Sequence, residues 1–105
     1  MTFQIGSPLL DACVLAEASR GDTYGYQLTQ NLKTVFALSP STLYPVLRRL
    51  QADACLSSYD EPFEGRNRRY YKITDAGKEK LTFYQQEWET YQNNVSQILI
   101  GGDDQ

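Results

Sequence analysis

Apolar residues recur at helical spacing through the first half of the chain and predict three helices. The first follows Ser7-Pro8, is apolar on almost every side and ends near Gly21, as is typical of a buried helix with glycine beyond its C-terminus. The second opens after Asp22-Thr23, and the third opens at a Ser39 cap followed by Pro40. Because the last two are joined by a short link, they predict a helix-turn-helix.

The third predicted helix has one apolar face and one polar face. Its apolar stripe consists of Leu43, Val46, Leu47 and Leu50. The polar side and its flanks carry hydroxyl, phenol and guanidinium groups, at Ser41, Thr42, Tyr44, Arg48 and Arg49. Such groups reach base edges and phosphates in a DNA major groove. The alternative is an ordinary amphipathic helix with a solvated polar face, which this segment taken alone favours.

Two short β-prone runs follow, Cys55–Tyr59 and Arg69–Ile73, and they predict a pair of strands. Proline and glycine in the polar connector over residues 60–68 indicate a long hairpin loop. An arginine-rich hairpin behind a helix-turn-helix predicts a wing that lies along a phosphate strand or enters the minor groove. Its candidate DNA-binding residues are Arg66, Arg68 and Arg69.

Thr74-Asp75 opens the last predicted helix, which extends from Ala76 to Ile98 or a little beyond. Spacings of three and four residues form a heptad seam along it, at Leu81, Tyr84, Trp88, Tyr91, Val95 and Ile98. Because this helix follows a complete small domain, the seam predicts a homodimer interface, with packing against the chain's own helices as the alternative.

The fold class predicted from these elements is mainly α with a small β-hairpin. A winged helix-turn-helix DNA-binding domain is expected over residues 1–75, and a long dimerisation helix over residues 76–100. Residues 101–105 are expected to form a flexible tail.

Composition narrows the function classes. The chain has 105 residues and a net charge of −3, which weighs against nucleic acid as a partner. The charge is uneven, however, because residues 66–72 hold four basic side chains and no acid. No apolar run is long enough to span a membrane, and no basic region followed by an apolar one opens the chain, which predicts a cytoplasmic protein without a membrane partner.

The chemistry of the chain argues against catalysis. The sequence contains no histidine, which excludes a histidine-dependent catalytic triad and a histidine-containing zinc site. No spacing joins a nucleophile to a base, so we predict no enzyme activity, no catalytic residue, no cofactor and no metal. Cys13 and Cys55 are interpreted as reduced thiols, with a disulfide or redox switch as the alternative.

Three motifs occur in order along the chain: Tyr24-Gly25-Tyr26, residues 42–50, and residues 65–74 followed by Gly77. Together they resemble the PadR family of bacterial transcriptional regulators, and the chain length is similar to that of the short subgroup with one C-terminal helix. The resemblance implies a winged-helix homodimer that binds double-stranded DNA. It also implies repression of promoters at inverted repeats and release by an inducer.

The resemblance also assigns roles to individual residues. The third helix would contact the major groove through Ser41, Thr42, Tyr44 and Arg48, the wing arginines would hold the flanking backbone or minor groove, and Tyr24 joins the DNA-binding set. Trp88 stands where some short members bind flat hydrophobic compounds between terminal helices, which makes it a candidate inducer contact. The alternative is that Trp88 only packs in the dimer seam.

One departure from the family pattern concerns the end of the third helix. Such proteins tend to have glycine where this chain has Ala54. If the backbone there is left-handed, alanine costs about 1 kcal/mol.

A rival hypothesis for the whole chain is a winged-helix module that docks a protein partner without specific DNA binding. The overall acidity favours this rival, and the basic cluster at residues 66–72 favours DNA.

Overall fold

Helices and a small sheet alternate along residues 7–101, the part of the chain that the computed structural model describes. The helices are α1 (Ser7–Ser19), α2 (Gly25–Leu32), α3 (Pro40–Ala52) and α4 (Asp75–Ile100). The strands are β1 (Thr23–Tyr24), β2 (Leu56–Phe63) and β3 (Arg66–Ile73). Residues 1–6 of the predicted DNA-binding domain and residues 102–105 of the predicted tail lie outside the described residues.

The hydrophobic core lies where α1, α2 and α3 meet the inner side of the sheet and the start of α4. The most deeply buried side chains come from the three N-terminal helices, and they are Val14, Leu15, Leu28, Leu43, Leu47 and Leu50. Leu56, Tyr71 and Ile73 close this core from the sheet, and Leu81 closes it from α4. The predicted winged helix-turn-helix with a long C-terminal helix is therefore confirmed.

A short strand replaces the second helix cap expected from the sequence. Thr23 and Tyr24 pair antiparallel with Tyr71 and Tyr70 of β3. Tyr24 then occupies the N-cap position of α2 with extended backbone and no side-chain cap. The pair of strands predicted from the sequence thus becomes a three-stranded sheet in the order β1-β3-β2.

The long loop predicted over residues 60–68 is wrong, because most of it is strand. β2 and β3 pair continuously from Leu56 opposite Ile73 out to Phe63 opposite Arg66. Glu64 and Gly65 alone make the turn, with φ of 51° and 78°, as two-residue hairpins with a matching twist require. Pro62 misled the prediction, yet proline is tolerated in β2 because this strand lies at the edge of the sheet.

The start of α3 follows the predicted cap-then-proline geometry, but its hydroxyl chemistry differs. Ser39 has the extended backbone of an N-cap residue, and Pro40 occupies the first turn. The Ser39 hydroxyl makes no cap bond to a backbone N–H. It lies instead 2.9 Å from the Ser41 hydroxyl and 3.2 Å from that of Thr42. The three hydroxyls therefore form one exposed cluster.

Thr74 connects α4 to the rest of the domain. Its hydroxyl accepts a hydrogen bond from the Gly77 N–H at 3.0 Å and donates one to the Ala54 carbonyl at 2.6 Å. A β-carbon on Gly77 would overlap the Cys55 carbonyl and lie 2.8 Å from Cγ1 of Ile73. Only glycine allows this approach, so the first turn of α4 is packed tightly against the base of the hairpin.

Candidate nucleic-acid interface

The outer face of α3 presents the polar residues that were predicted from the sequence to contact a DNA groove. The opposite stripe is buried in the core, and this orientation leaves exposed Ser41, Thr42, Tyr44 and Arg48. Pro45 lies inside the helix on the same exposed side. Its missing N–H removes one helical hydrogen bond there without disturbing the core. Hydroxyls, a phenol and one guanidinium are therefore available together on one surface.

Arg49 is not part of that available set, because it pairs within the chain. Its guanidinium donates to the carboxylate of Asp11 on α1, whose side chain is 10% exposed. Burial raises the pKa of Asp11, while the positive charge of Arg49 acts in the opposite direction. The ion pair joins α3 to α1, so the structure gives Arg49 a role in holding the helix.

The N-terminus of α2 approaches α3 closely at Gly25. A β-carbon on this glycine would lie 2.9 Å from the Tyr44 hydroxyl and 3.4 Å from Cζ of the same ring. Any larger residue would push against the phenol. The absence of a side chain at position 25 thus lets Tyr44 lie over the start of α2, beside the exposed face of α3.

The outward face of the hairpin carries a continuous row of rings. Tyr59 and Tyr70 are cross-strand partners with ring centroids 5.5 Å apart and nearly parallel planes. Tyr24 meets Tyr70 edge-to-face at 5.3 Å. Beyond them, the Arg68 guanidinium carbon lies 4.0 Å from the centroid of Tyr24 and 3.6 Å from that of Phe63. We call these five residues the aromatic column.

The column is anchored at its inner end by a hydrogen bond. The Tyr59 hydroxyl donates to the Asp22 carboxylate at 2.5 Å, and this bond raises the pKa of Tyr59 to about 12. The phenol therefore stays protonated as a donor at neutral pH. Since an isolated two-stranded ribbon is only marginally stable in water, the stacked rings and this bond explain why the hairpin extends so far from the core.

The three predicted wing arginines differ in what they contact. Arg69 donates to Asp60 at 3.1 Å, and this bond raises the pKa of the Arg69 guanidinium. Arg68 is held between two rings, as described above. Arg66 lies beside the turn and is exposed. Within residues 7–101 neither Arg66 nor Arg68 forms an ion pair with a carboxylate.

One groove of about 470 Å³ brings the hairpin, the start of α2 and the first half of α3 together. Its wall is aromatic and mainly cationic, with Glu64 as the one acidic residue among the described residues that line it, and it includes Tyr24, Tyr44, Arg66, Arg68 and Arg69. Ser41, Thr42 and Arg48 lie on α3 but not among the groove residues. A groove with rings and guanidinium groups on its walls can accept a polyanionic strand.

The sequence analysis gave no role to several of the groove residues, among them Tyr26, Phe63 and Asn67. Tyr26 is 71% exposed, and it stood in the motif at the start of α2 without being assigned a role. Phe63 and Asn67 lay inside the segment expected to be a loop. An exposed phenylalanine within an otherwise polar connector was the signal that could have identified Phe63.

Comparison with known proteins decides the family. The model of the PadR-like family of transcriptional regulators matches residues 14–83, a stretch that contains α2, α3, the hairpin and the start of α4. The chain belongs to the PadR-like family. The predicted resemblance to this family of transcriptional regulators is therefore confirmed.

A curated relative agrees with this assignment. The PadR-like chain is 43% identical over 70 residues to transcriptional regulator Rv3488 of Mycobacterium tuberculosis. The match covers 66% of this chain and 65% of that regulator, just under two thirds of its length.

Solved structures show the same fold. The structure of smu.1704 from Streptococcus mutans superimposes with a TM-score of 0.90 at 33% identity, over 100% of this chain and 99% of that one. A PadR family transcription regulator from Clostridium difficile gives a TM-score of 0.77 at 27% identity, over 85% of this chain and 96% of that one. A PadR-like transcriptional regulator from Bacillus cereus gives a TM-score of 0.81 at 30% identity, over 92% of this chain and 96% of that one.

The predicted interface helix of this PadR-family chain is divided along its length. Leu81 belongs to the core of its own chain and Tyr84 packs partly against that core. Farther along, Val95 is half-buried, whereas Trp88, Tyr91 and Ile98 are 41%, 63% and 80% exposed. The seam therefore begins in the core of the domain. Farther along α4 the same face is not covered by any part of residues 7–101.

Three further exposed apolar residues on α4 lie outside the predicted seam. They are Phe83, Leu99 and Ile100. By helical spacing, Leu99 extends the edge of the seam, whereas Phe83 and Ile100 lie on other sides of the helix. Within residues 7–101 no helix is long and apolar enough to cross a membrane.

Proposed function

We propose that this PadR-family chain is a homodimeric repressor that binds an inverted-repeat operator and is released by a small hydrophobic inducer. The observation that carries the proposal is the groove in which the hairpin, with its arginines, faces Tyr44 of α3. A helix with exposed donors beside a cationic wing is the arrangement with which winged helices hold a major groove and its flanking backbone.

In this proposal the outer face of α3 reads bases. Arg48 is the principal reader, because a guanidinium can bond guanine through two N–H groups. Ser41, Thr42 and Tyr44 supply shorter-range hydroxyl contacts to bases or phosphates. Arg49 does not contact DNA, because it pairs with Asp11; its part is to hold α3 at the angle at which the other residues reach the groove.

The wing supplies affinity that depends little on sequence. Arg66 and Arg68 keep their charge available and contact the flanking phosphates or the minor groove. Arg69 contributes less, because Asp60 already neutralises it. Tyr24 does not itself contact DNA in this proposal; its ring supports the Arg68 guanidinium that does.

The second half of α4 provides the dimer. Leu81 is buried in the core on one face of α4, and the same face continues outward with the exposed residues Trp88, Tyr91 and Ile98. A second copy of the chain covers this outer part of the face. Two symmetric α3 helices then require half-sites about 10 bp apart or a multiple of that distance.

The decisive experiment begins with selection of bound sequences from a random duplex library. Fluorescence anisotropy titrations on the selected duplex then compare wild type with Arg48→Ala. The proposal expects a loss of about 1–3 kcal/mol and a relaxed preference at the base that Arg48 contacts. Arg20→Ala, which removes an exposed arginine paired with Glu17 at the end of α1, is the charge-matched control and leaves binding unchanged.

Two results would refute the proposal. Unchanged operator affinity in Arg48→Ala would remove α3 as the reading element. Affinity for random duplex that does not vary with salt would instead identify a protein-docking module, because phosphate contacts release counterions and make binding salt-dependent.

The inducer is tested through the single tryptophan of the chain. A flat hydrophobic compound that stacks on Trp88 quenches its fluorescence and lowers operator affinity at the same concentrations. Quenching without any change in operator affinity would reduce Trp88 to a packing residue of the dimer.

A further inference from the structure

We propose that Phe63 is a positioning residue for DNA binding, which together with Tyr24 fixes the Arg68 guanidinium before DNA arrives. The inference rests on the proposed function of the wing. It assigns a task to a residue that stands at the exposed end of the aromatic column and that no sequence motif singles out.

The sheet order places a ring on each side of Arg68. Arg68 lies on the central strand β3, Tyr24 lies on β1, and Phe63 lies on β2. The guanidinium carbon is 4.0 Å from the first ring centroid and 3.6 Å from the second. Both distances lie well within the range of cation–π attraction, so the guanidinium is confined from two opposite directions.

The contacts to rings leave the hydrogen-bonding capacity of Arg68 unused. A guanidinium carries its five N–H donors in its own plane, and ring contacts consume none of them. Glu61 stands directly opposite Arg68 in the strand register, yet the two form no ion pair within the described residues. In the adjacent cross-strand pair, Asp60 does form an ion pair with Arg69. The column thus keeps one wing arginine in place without neutralising it.

Confinement of this kind changes the entropy of binding. A free arginine on a hairpin must lose most of its rotamer freedom when it bonds a phosphate, and this loss weakens binding. Arg68 has lost much of that freedom in the free protein. The Phe63 ring that holds Arg68 is itself 45% exposed. The contact is therefore made at the surface of the hairpin, where DNA can reach the guanidinium.

The test compares Phe63 variants with Arg68→Ala on the selected operator duplex, by anisotropy over a salt series. Loss of one ring contact weakens binding about 2- to 5-fold per wing, and hence about 4- to 25-fold for a dimer that uses both wings. The slope of affinity against salt stays that of wild type in Phe63→Ala, because no charge is removed. Arg68→Ala weakens binding and lowers that slope by about 1 per wing.

Two further substitutions separate positioning from bulk. Phe63→Tyr retains an aromatic face and restores wild-type affinity, whereas Phe63→Leu retains apolar volume without the ring and behaves as Phe63→Ala. Phe83→Ala, which removes from α4 a phenylalanine that is 56% exposed, is the matched control and leaves DNA affinity unchanged. Tyr24→Leu against Tyr24→Phe repeats the comparison on the other ring if Phe63→Ala fails to fold.

The outcomes distinguish this inference from the proposed function. If Arg48→Ala and Arg68→Ala both bind as wild type, the DNA interface itself is misplaced. If Arg68→Ala weakens binding while Phe63→Ala and Phe63→Leu match wild type, the interface stands and the positioning role of Phe63 is overturned.

Discussion

α3 and α4 carry the same kind of apolar repeat, and the two repeats are covered differently. Leu43, Leu47 and Leu50 on α3 are all at most 1% exposed. On α4 the repeat starts with buried Leu81 and ends with Ile98 at 80% exposure. Helical periodicity therefore shows which face of a helix will be buried. It does not show whether the cover comes from the same chain or from another copy.

The largest expected effect tests the α3 side of this comparison. Leu47→Ala removes a fully buried side chain and leaves a cavity, so the free energy of unfolding falls by about 2–5 kcal/mol. Urea denaturation measures the change, and the change should be the same at low and high protein concentration. A loss that shrinks as concentration rises would mean that the α3 stripe is completed by a second copy.

A smaller effect is expected on the α4 side. Tyr91→Ala removes an exposed ring from the proposed interface and weakens the dimer by about 2 kcal/mol, or roughly 30-fold in its dissociation constant. Sedimentation over a range of concentrations measures this constant. Phe83→Ala, on the same helix but off the seam, is the control. A wild-type chain that stays monomeric at micromolar concentration would contradict the interface.

Arg49→Ala tests the ion pair with Asp11 that fastens α3 to α1. The outer half of α4 has no such ion pair within residues 7–101. The substitution leaves the Asp11 carboxylate, 10% exposed, without its partner, and at neutral pH we expect a loss of about 1–2 kcal/mol in the free energy of unfolding. Asp11→Ala should cost less, because the Arg49 side chain is 45% exposed and can be hydrated. Equal losses would contradict this asymmetry.

The same variant has a defined pH dependence. Without Arg49, the pKa of Asp11 in the folded chain rises further above its ordinary value of 3.8. The folded state then binds more protons than the unfolded state between these two pKa values, so stability falls as pH rises through that interval. The difference in the free energy of unfolding between Arg49→Ala and wild type should therefore shrink as pH is lowered to 3.8 and below. Urea titrations at several pH values measure this difference.

The smallest expected effect concerns how the two helices end. α3 is followed by Ala54 with φ of 62°, and α4 is followed by Gly101 with φ of 76°. Because alanine is strained in this left-handed region, Ala54→Gly should raise the free energy of unfolding by about 1 kcal/mol, measured in urea. Ala52→Gly, at the last residue of α3, is the control and should destabilise rather than stabilise the chain.

Local chemistry made several features predictable from the sequence. Thr74 as a cap and the orientation of α3 follow from neighbouring residues, whereas the strain at Ala54 was expected from the family pattern, which tends to have glycine there. β1 could not be predicted, because two residues become a strand only when β3 is beside them. The hairpin was misjudged because Pro62 and the surrounding charges are unfavourable in isolation, and the aromatic column that stabilises it joins three separate strands. The pairing of Arg49 with Asp11, 38 positions apart, depends likewise on the assembled fold.

Thr74 has a mechanical consequence. Its hydroxyl links the first turn of α4 to the Ala54 carbonyl, two residues beyond the end of α3, and Gly77 lets the same turn pack closely against Cys55. α4 is therefore an arm about 39 Å long, fixed at one end to the winged helix-turn-helix. In the proposed dimer, a change of about 10° in the angle between two such arms moves the two reading heads by roughly 7 Å relative to each other. That displacement is about two base-pair steps of duplex, so rotation at a distant seam translates into a loss of register on DNA.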